Sequence, residues 1–150
     1  MQTYHVTVQR LDDAHAEARI RSFRLVTGVR RGDPSVGPNA AEMLLSALGT
    51  CLLTNVNTLM EQMHVSIQDA YVELQGERQD QPPLLTHITC RLVLVSAEPH
   101  SRLETLFALA QKWGTVTNTL ARGVPLEMEL AVQTPDMEKH KAIDQTDGIR

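Results

Sequence analysis

Five stretches of the chain alternate apolar with polar residues, a pattern that predicts β-strands. They lie near Tyr4–Val8, Ala16–Ile20, Ala70–Leu74, Ile88–Val95 and Leu126–Val132. The first and second stretches predict one hairpin, and the third and fourth predict another, with the polar segment Gln75–Pro83 as its turn. After the first hairpin the alternation changes phase at Phe23, which predicts a bulge near Ser22.

The longest helical stretch follows a loop rich in glycine and proline. Asn39 is suited to accept hydrogen bonds from the free amides of a helix start, and Glu42 suits the positive end of the helix dipole, so we predict a helix over residues 40–63. Residues 43–60 of this helix carry no charge, which is close to the roughly 20 residues of a membrane span. The asparagines at 55 and 57 would lack partners in lipid, so we predict instead a buried helix in a soluble protein.

A second helix is predicted to extend as far as Trp113, because Ser101 and Glu104 have the spacing of a capping box and apolar residues then recur at helical intervals. The resulting order, β-β-α-β-β-α-β, indicates an α+β fold with a mainly antiparallel sheet. We assign residues 1–133 to one domain and the polar, aperiodic residues 134–150 to a tail. A central helix without a charged face needs cover on every side, which favours a homodimer with that helix buried between the two copies.

The composition is that of an ordinary soluble globular protein: of 150 residues, 42% are hydrophobic and 21% charged, with a net charge of −4. With 14 basic against 18 acidic residues and no basic run, the chain has no overall field that attracts nucleic acid or an anionic membrane, and neither is an expected partner. The N-terminus lacks the regions of a signal peptide. Two cysteines cannot form the disulfide framework of a small secreted protein, so we expect a cytoplasmic protein with reduced thiols.

Candidate chemistry centres on cysteine. Cys51 lies inside the uncharged helix, as either a buried hydrophobe or a reactive thiol. A free thiol ionises near pH 8.5, so a reactive one needs a cationic or hydrogen-bonding neighbour, and the candidates are the N-terminal arginines at 10, 19, 21, 24, 30 and 31. Cys90 shares the strand phase of apolar residues and is expected in the core. The histidines lack metal-ligand spacing and no nucleotide-binding or hydrolase motif is present, so neither a metal nor a cofactor is expected.

Two segments resemble the signatures of the OsmC/Ohr family. Residues 37–52 read GPNAAEMLLSALGTCL, which is similar to the family's helix signature of a proline, one or two glutamates, and a run rich in leucine and alanine that ends in cysteine. Residues 116–126 read VTNTLARGVPL and resemble the second signature. The two segments keep the family's order and separation, and the strand pattern agrees from about Tyr4 to Val132.

The resemblance implies an OsmC-like intertwined homodimer, with central helices between two sheets and active sites at the subunit interface. Peroxidases of the family reduce organic hydroperoxides with a helix cysteine, which becomes a sulfenic acid and condenses with a second cysteine. Cys51 matches the attacking residue and Glu42 the second of two adjacent glutamates, so the resemblance implies these two as catalytic residues. The chain departs from the pattern at Ala41, in place of the first glutamate, and at Gly114-Thr115, in place of the Cys-Pro pair that carries the second thiol.

Two interpretations remain open. In the first, Cys51 is a one-cysteine peroxidase nucleophile for small hydrophobic hydroperoxides, and its sulfenic acid is reduced by an external thiol or by Cys90. In the second, the OsmC-like dimer has lost peroxidase activity, and its groove, filled by Trp113 beside the missing cysteine, binds a small apolar ligand or nothing. Oxidation of Cys51 by an organic hydroperoxide separates the two interpretations.

Overall fold

The computed structural model describes residues 1–135 and contains two compact units, one of residues 1–47 and one that begins at Leu48. The strands are β1 (Thr7–Arg10), β2 (His15–Ile20), β3 (Phe23–Gly28), β4 (Asp69–Asp80), β5 (Pro83–Val95) and β6 (Leu126–Gln133). The helices are α1 (Ala40–Met63), α2 (His100–Lys112) and α3 (Thr115–Leu120), and a short 3-10 helix lies at Pro34–Val36. The α+β class is confirmed, with the element order β-β-β-α-β-β-α-α-β.

The first unit is built on an antiparallel meander of β1, β2 and β3. The predicted bulge near Ser22 is wrong: Ile20 pairs with Phe23 across a two-residue turn, and β3 is a separate strand. Arg21 adopts a positive φ of 57° in this turn. A tight turn changes the phase of the alternation as a bulge does, so the pattern alone did not distinguish them. The first strand begins at Thr7 rather than Tyr4.

Before α1, the last residue of β3, Gly28, makes a close contact with Gly37 in the loop that follows. The amide of Gly28 donates to the carbonyl oxygen of Pro38 at 3.0 Å, and a Cβ atom on Gly28 would lie 2.7 Å from the carbonyl oxygen of Gly37. Gly37 itself has a φ of 132°, a conformation that favours glycine. These contacts fix the backbone just before the first turn of α1.

The second unit contains a three-stranded sheet in the order β4-β5-β6. Strand β4 is antiparallel to β5, but β6 is parallel to β5, with Leu126 opposite Ile88. The fold therefore has two sheets with one parallel pairing, because the chain returns to β6 through a helical crossover as parallel strands require. The expected turn at Gln75–Pro83 is also too long, since β4 continues to Asp80 and β5 begins at Pro83.

The helices of this second unit differ from expectation at two places. The capping box at Ser101 and Glu104 is wrong: α2 begins at His100 after Pro99, and no side chain caps it. The short helix α3 was not predicted, because six residues are too few to show a helical period. It follows α2 after only two residues, Trp113 and Gly114.

Helix α1 packs on the sheet of the second unit through a glycine. A Cβ atom on Gly49 would lie 2.9 Å from Cδ1 of Leu74 and 3.8 Å from Cβ of Val72. By register, the same sheet face carries Cys90, Leu92, Met128 and Leu130. The buried side of α1 consists of Leu48, Gly49, Leu52, Val56 and Leu59. A single copy of the chain therefore buries one stripe of the helix and leaves the rest half-buried or exposed.

Length and composition alone would also allow α1 to cross a membrane. Its contacts with Leu74 and Val72, however, are those of a core helix packed on a sheet. The tail assigned to residues 134–150 lies outside the described residues except for Thr134 and Pro135, which are neither helix nor strand.

Candidate functional site

Cys51 lies on the side of α1 that turns away from the sheet. At 3.6 residues per turn, it is rotated by about 200° from Gly49, two residues earlier, which packs on Leu74. Its side chain is half-buried and its thiol is free. The structure thus leaves Cys51 at the surface of one copy of the chain, as a reactive thiol requires.

One turn after Cys51, Asn55 joins α1 to the end of α2. Its Nδ2 donates to the carbonyl oxygen of Ala110 at 2.9 Å. This bond satisfies a carbonyl in the last turn of α2 and brings that turn beside the Cys51 side of α1. Asn55 was not predicted to belong to the site, although its position four residues after the cysteine was an available clue.

The chain between α2 and α3 forms a tight turn at this junction. The amide of Gly114 donates to the carbonyl oxygen of Gln111 at 3.2 Å, and Asn118 Nδ2 donates to the carbonyl oxygen of Lys112 at 3.0 Å. A Cβ atom on Gly114 would lie 3.4 Å from the carbonyl oxygen of Ala110, the acceptor of the Asn55 bond. Trp113 beside it is 52% exposed. Residues 110–118, which we call the 110–118 turn, therefore border the Cys51 side of α1.

Glu42 has a structural task in the first turn of α1. Its carboxylate accepts a hydrogen bond from the amide of Asn39 at 2.8 Å, and its own amide donates to Asn39 Oδ1 at 3.0 Å. This reciprocal pair is a capping box, and it confirms the predicted start of the helix. Glu42 and Cys51 are separated by two and a half turns, which places them on opposite sides of α1. A single chain does not bring the two predicted catalytic residues together.

Cys90 is sealed inside the sheet, as predicted. Its side chain is fully buried in β5, between Leu74 of β4 and Met128 of β6. Burial raises the pKa of the Cys90 thiol to about 11, so it stays protonated at neutral pH. A protonated, inaccessible thiol is a poor candidate for reducing an oxidised Cys51.

The N-terminal arginines fall into two groups. Arg19 and Arg24 pair with Glu17 at 2.6 and 3.5 Å, Arg30 pairs with Asp13 at 2.6 Å, and Arg21 stacks over the ring of Phe23. Within residues 1–135, no ion pair or ring contact is found for the other two, Arg10 and Arg31. In the same part of the chain, no three His, Cys, Asp or Glu side chains gather as a metal site requires.

Comparison with known families covers the segments that carry this site. The model of the family described as OsmC-like protein matches residues 31–129, well over half of the chain. The chain belongs to the OsmC-like protein family. The match includes Cys51 and the 110–118 turn, so the resemblance inferred from residues 37–52 and 116–126 is confirmed. The sequence finds no match among curated proteins.

Solved structures of OsmC-like proteins share this fold. An OsmC-like protein from Mycoplasma pneumoniae matches with a TM-score of 0.81 at 18% identity, covering 88% of this chain and 98% of that one. An organic hydroperoxide resistance protein OsmC from Legionella pneumophila gives 0.70 at 14% identity, covering 88% and 98%. The organic hydroperoxide resistance protein OhrB of Bacillus subtilis gives 0.62 at 13% identity, covering 86% and 98%. At these identities the likeness shows the fold.

Proposed function

We propose that this OsmC-like protein reduces small hydrophobic organic hydroperoxides with Cys51 and an external thiol. The observation that carries the proposal is the contrast between its two cysteines. Cys51 is half-exposed beside the 110–118 turn, whereas Cys90 is buried and its pKa is raised to about 11. Only Cys51 is accessible to a peroxide, and similar folds include two organic hydroperoxide resistance proteins.

The proposed reaction needs one cysteine and two equivalents of thiol. The Cys51 thiolate attacks the O–O bond of ROOH, which yields the sulfenic acid Cys51–SOH and, after protonation, the alcohol ROH. An external thiol R′SH then forms the mixed disulfide Cys51–S–S–R′ and releases water. A second R′SH displaces Cys51–SH and leaves R′S–SR′. The peroxide is reduced by two electrons and two thiols are oxidised to one disulfide.

We also propose that the active form is a homodimer. Val8 pairs with Ala18, which pairs with Leu25, so these apolar side chains share one face of the β1-β2-β3 sheet. On that face Val8 is 64% and Phe23 62% exposed in a single copy. Contiguous exposed apolar surface of this kind marks an interface, and the half-buried sides of α1 need cover as well. A second copy of the chain supplies both.

Activation of the thiol is proposed to come from Arg10 or Arg31. A thiolate is stabilised by a nearby cation, and among residues 1–135 Arg10 and Arg31 are the N-terminal arginines for which neither an ion pair nor a ring contact is found. Glu42 is proposed to orient such an arginine in the dimer. Both free cysteines suit a reducing compartment, so we place the protein in the cytoplasm.

One observation favours a second candidate function, that of a non-catalytic dimer which binds a small apolar ligand. Trp113 is half-exposed at the 110–118 turn, next to Gly114 where the second family thiol is missing. An exposed indole with an adjacent glycine offers an apolar platform. In this case Cys51 would serve only as part of the lining.

Oxidation of Cys51 tests the proposal directly. The reduced protein is treated with one equivalent of cumene hydroperoxide, trapped with dimedone and mapped by mass spectrometry. We expect the dimedone adduct on Cys51, none on Cys90, and turnover of the peroxide with dithiothreitol that is lost in Cys51→Ser and retained in Cys90→Ser. Absence of any oxygen or dimedone on Cys51 would refute the enzyme and leave the ligand-binding function.

A further inference from the structure

The first unit carries a local excess of positive charge that the net charge of the chain conceals. Residues 18–32 contain five arginines and no acidic residue, although the whole chain has a net charge of −4. Three of these arginines, at positions 19, 21 and 24, lie at the end of the β2-β3 hairpin. A concentration of one sign of charge on a small surface attracts ions of the opposite sign even when the whole protein repels them.

Two of the arginines face each other across the sheet. Arg19 on β2 and Arg24 on β3 are direct cross-strand partners, an arrangement in which like charges destabilise a sheet. Because side chains alternate between the two faces of a strand, Glu17 lies on the same face as Arg19. Val8 and Ala18, in the proposed dimer interface, lie on the opposite face. The arginine pair therefore needs an anion, and its face is not the one that the proposed dimer covers.

Glu17 supplies part of the negative charge and orients both guanidinium groups. Its Oε1 accepts from Nε of Arg19 at 2.6 Å and from Nη1 of Arg24 at 3.5 Å. The hydrogen bond from Arg19, and to a smaller extent the charge of Arg24, lowers the pKa of the Glu17 carboxyl against the opposing effect of desolvation. Glu17 is thus ionised at neutral pH, and one of its oxygen atoms holds the two arginines together.

Most donors of the two guanidinium groups stay available to a further anion. The side chains of Arg19 and Arg24 are 47% and 66% exposed, and among residues 1–135 no other hydrogen bond or ion pair of either guanidinium is found. Two arginines and one carboxylate leave one positive charge. A carboxylate matches a single guanidinium fork, whereas the terminal oxygens of a phosphoryl group can accept from two forks at once.

We propose that Arg19 and Arg24, oriented by Glu17, bind the phosphoryl group of a phosphate monoester on this face of the β1-β2-β3 sheet. Such a monoester carries about −1.5 to −2 charge at neutral pH, which complements the charge that Glu17 leaves unbalanced. The same group occurs in free phosphate esters and in lipid head groups. Neither arginine belongs to the proposed peroxide chemistry, so failure of either proposal leaves the other standing.

A phosphate titration tests the site. Isotope-labelled protein is titrated with sodium phosphate at constant ionic strength, and the Nε–Hε resonances of the arginines are followed by NMR. We expect saturable shifts for Arg19 and Arg24. Arg24→Gln should fold, because its side chain is 66% exposed, and should weaken phosphate binding by about tenfold or more, as loss of a charge-assisted hydrogen bond does.

Arg78→Gln is the matched control, because Arg78 is 46% exposed and pairs with Asp80 on a different hairpin. It should bind phosphate as the parent does. Shifts that do not saturate, or equal affinity in Arg24→Gln and the parent, would overturn the proposal.

Two probes with the same phosphate group distinguish its sources. Glycerol 3-phosphate presents the monoester in solution, and phosphatidic acid in phosphatidylcholine vesicles presents it on a membrane, with vesicles of phosphatidylcholine alone as the control. Binding of glycerol 3-phosphate alone would assign the site to a soluble phosphate ester. Sedimentation with the phosphatidic acid vesicles that is lost in Arg24→Gln would assign it to a lipid head group. Binding of neither probe would contradict the site.

Discussion

Gly49 and Leu74 meet so closely that the contact sets the distance between α1 and the β4-β5-β6 sheet. An added Cβ on Gly49 would lie 2.9 Å from Leu74 Cδ1. The register of the sheet places Leu74 beside Cys90. Gly49 therefore marks the side of α1 that faces Leu74 and Cys90 of the sheet. Cys51, about 200° further round the helix, lies on the side that faces away from Cys90.

Substitution of Gly49 should show a steep dependence on side-chain size. Gly49→Ala gains about 1 kcal/mol of helix propensity. This gain offsets most of the cost of the close contact with the flexible end of Leu74, so the free energy of unfolding should change little. Gly49→Val adds two more carbons and is expected to lower the free energy of unfolding by about 2–3 kcal/mol. Urea denaturation measures both. Gly123→Val, with no atom closer than 3.9 Å, is the control, and an equal loss there would contradict the packing argument.

Long elements with a periodic pattern of apolar residues could be predicted from the sequence. Elements whose position is set by tertiary contacts could not. The helix from Ala40 to Met63 matches its prediction at both ends. Its start was predictable because Asn39 and Glu42 form the cap that their types suggest. The turn at Arg21 and the six-residue α3 have no periodic pattern of their own. They follow from strand pairing and from bonds such as Asn118 to Lys112.

Residues of the candidate site could be predicted only where they belong to a local sequence motif or pattern. Cys51 was found from the helix signature, and Cys90 was placed in the core by strand phase. Asn55 was missed, because its hydrogen-bond partner lies 55 residues away in the chain. Contacts between distant segments leave little trace in one sequence.

Two substitutions of Glu42 should separate its structural task from the proposed catalytic one. Glu42→Gln keeps an acceptor for the Asn39 amide, since glutamine also serves in a capping box, so its stability should equal that of the parent. Glu42→Ala loses the acceptor and should be less stable by about 0.5–1 kcal/mol. If the charge orients an activating arginine, both variants form the Cys51 sulfenic acid more slowly. Unchanged oxidation in Glu42→Gln would assign Glu42 to the helix cap alone.

Cys90 should resist alkylation at any pH at which the protein is folded. Its pKa of about 11 lies above the ordinary value of 9.0 because burial disfavours the thiolate. The folded state therefore keeps its proton longer than the unfolded state, and this contribution to stability is full below pH 9 and is lost as the pH rises from 9 towards 11. Iodoacetamide followed by peptide mapping should label Cys90 only after unfolding in urea. Rapid labelling of the native protein would show that Cys90 is not in the core.

The interactions of Glu98 near the end of α1 lead us to expect a loss of stability at acid pH. Glu98 accepts the amide of Ser66 at 2.9 Å and pairs with Arg102 at 2.7 Å, and Arg102 donates to the carbonyl oxygen of Met63 in the last turn of α1. The Ser66 amide, and then the Arg102 guanidinium, hold the pKa of the Glu98 carboxyl below its ordinary value of 4.5 against the opposing effect of desolvation.

Because the folded state holds the Glu98 proton more weakly, this contribution is present above pH 4.5 and is lost as the pH falls through the lower pKa of the folded state. Denaturation at pH 7 and at pH 3.5 should show Glu98→Gln less stable than the parent at pH 7, with a smaller difference at pH 3.5. A difference that is the same at both values would mean that the charge of Glu98 does not matter. Glu104→Gln, which removes the charge of an exposed carboxylate on α2, is the control.

The proposed homodimer predicts opposite effects for lysine on two faces of β1. Val8 lies on the apolar face with Ala18 and Leu25, while Thr7 lies on the other face, opposite Arg19. Val8→Lys would bury a charge in the interface and is expected to give a folded monomer, since Val8 is 64% exposed within one copy. Thr7→Lys should remain a dimer. Light scattering gives the mass, and circular dichroism confirms the fold.

A lysine on α1, such as Leu48→Lys, would not test the dimer, because Leu48 is already fully buried within a single copy. A lysine there should unfold the chain whatever its oligomeric state, as an unpaired charge in the core does. Val8 separates assembly from folding because only a second copy would cover it. If Val8→Lys and Phe23→Lys both keep the mass of the parent, and that mass is twice that of the chain, the interface lies elsewhere. A parent protein with the mass of one chain would remove the dimer altogether.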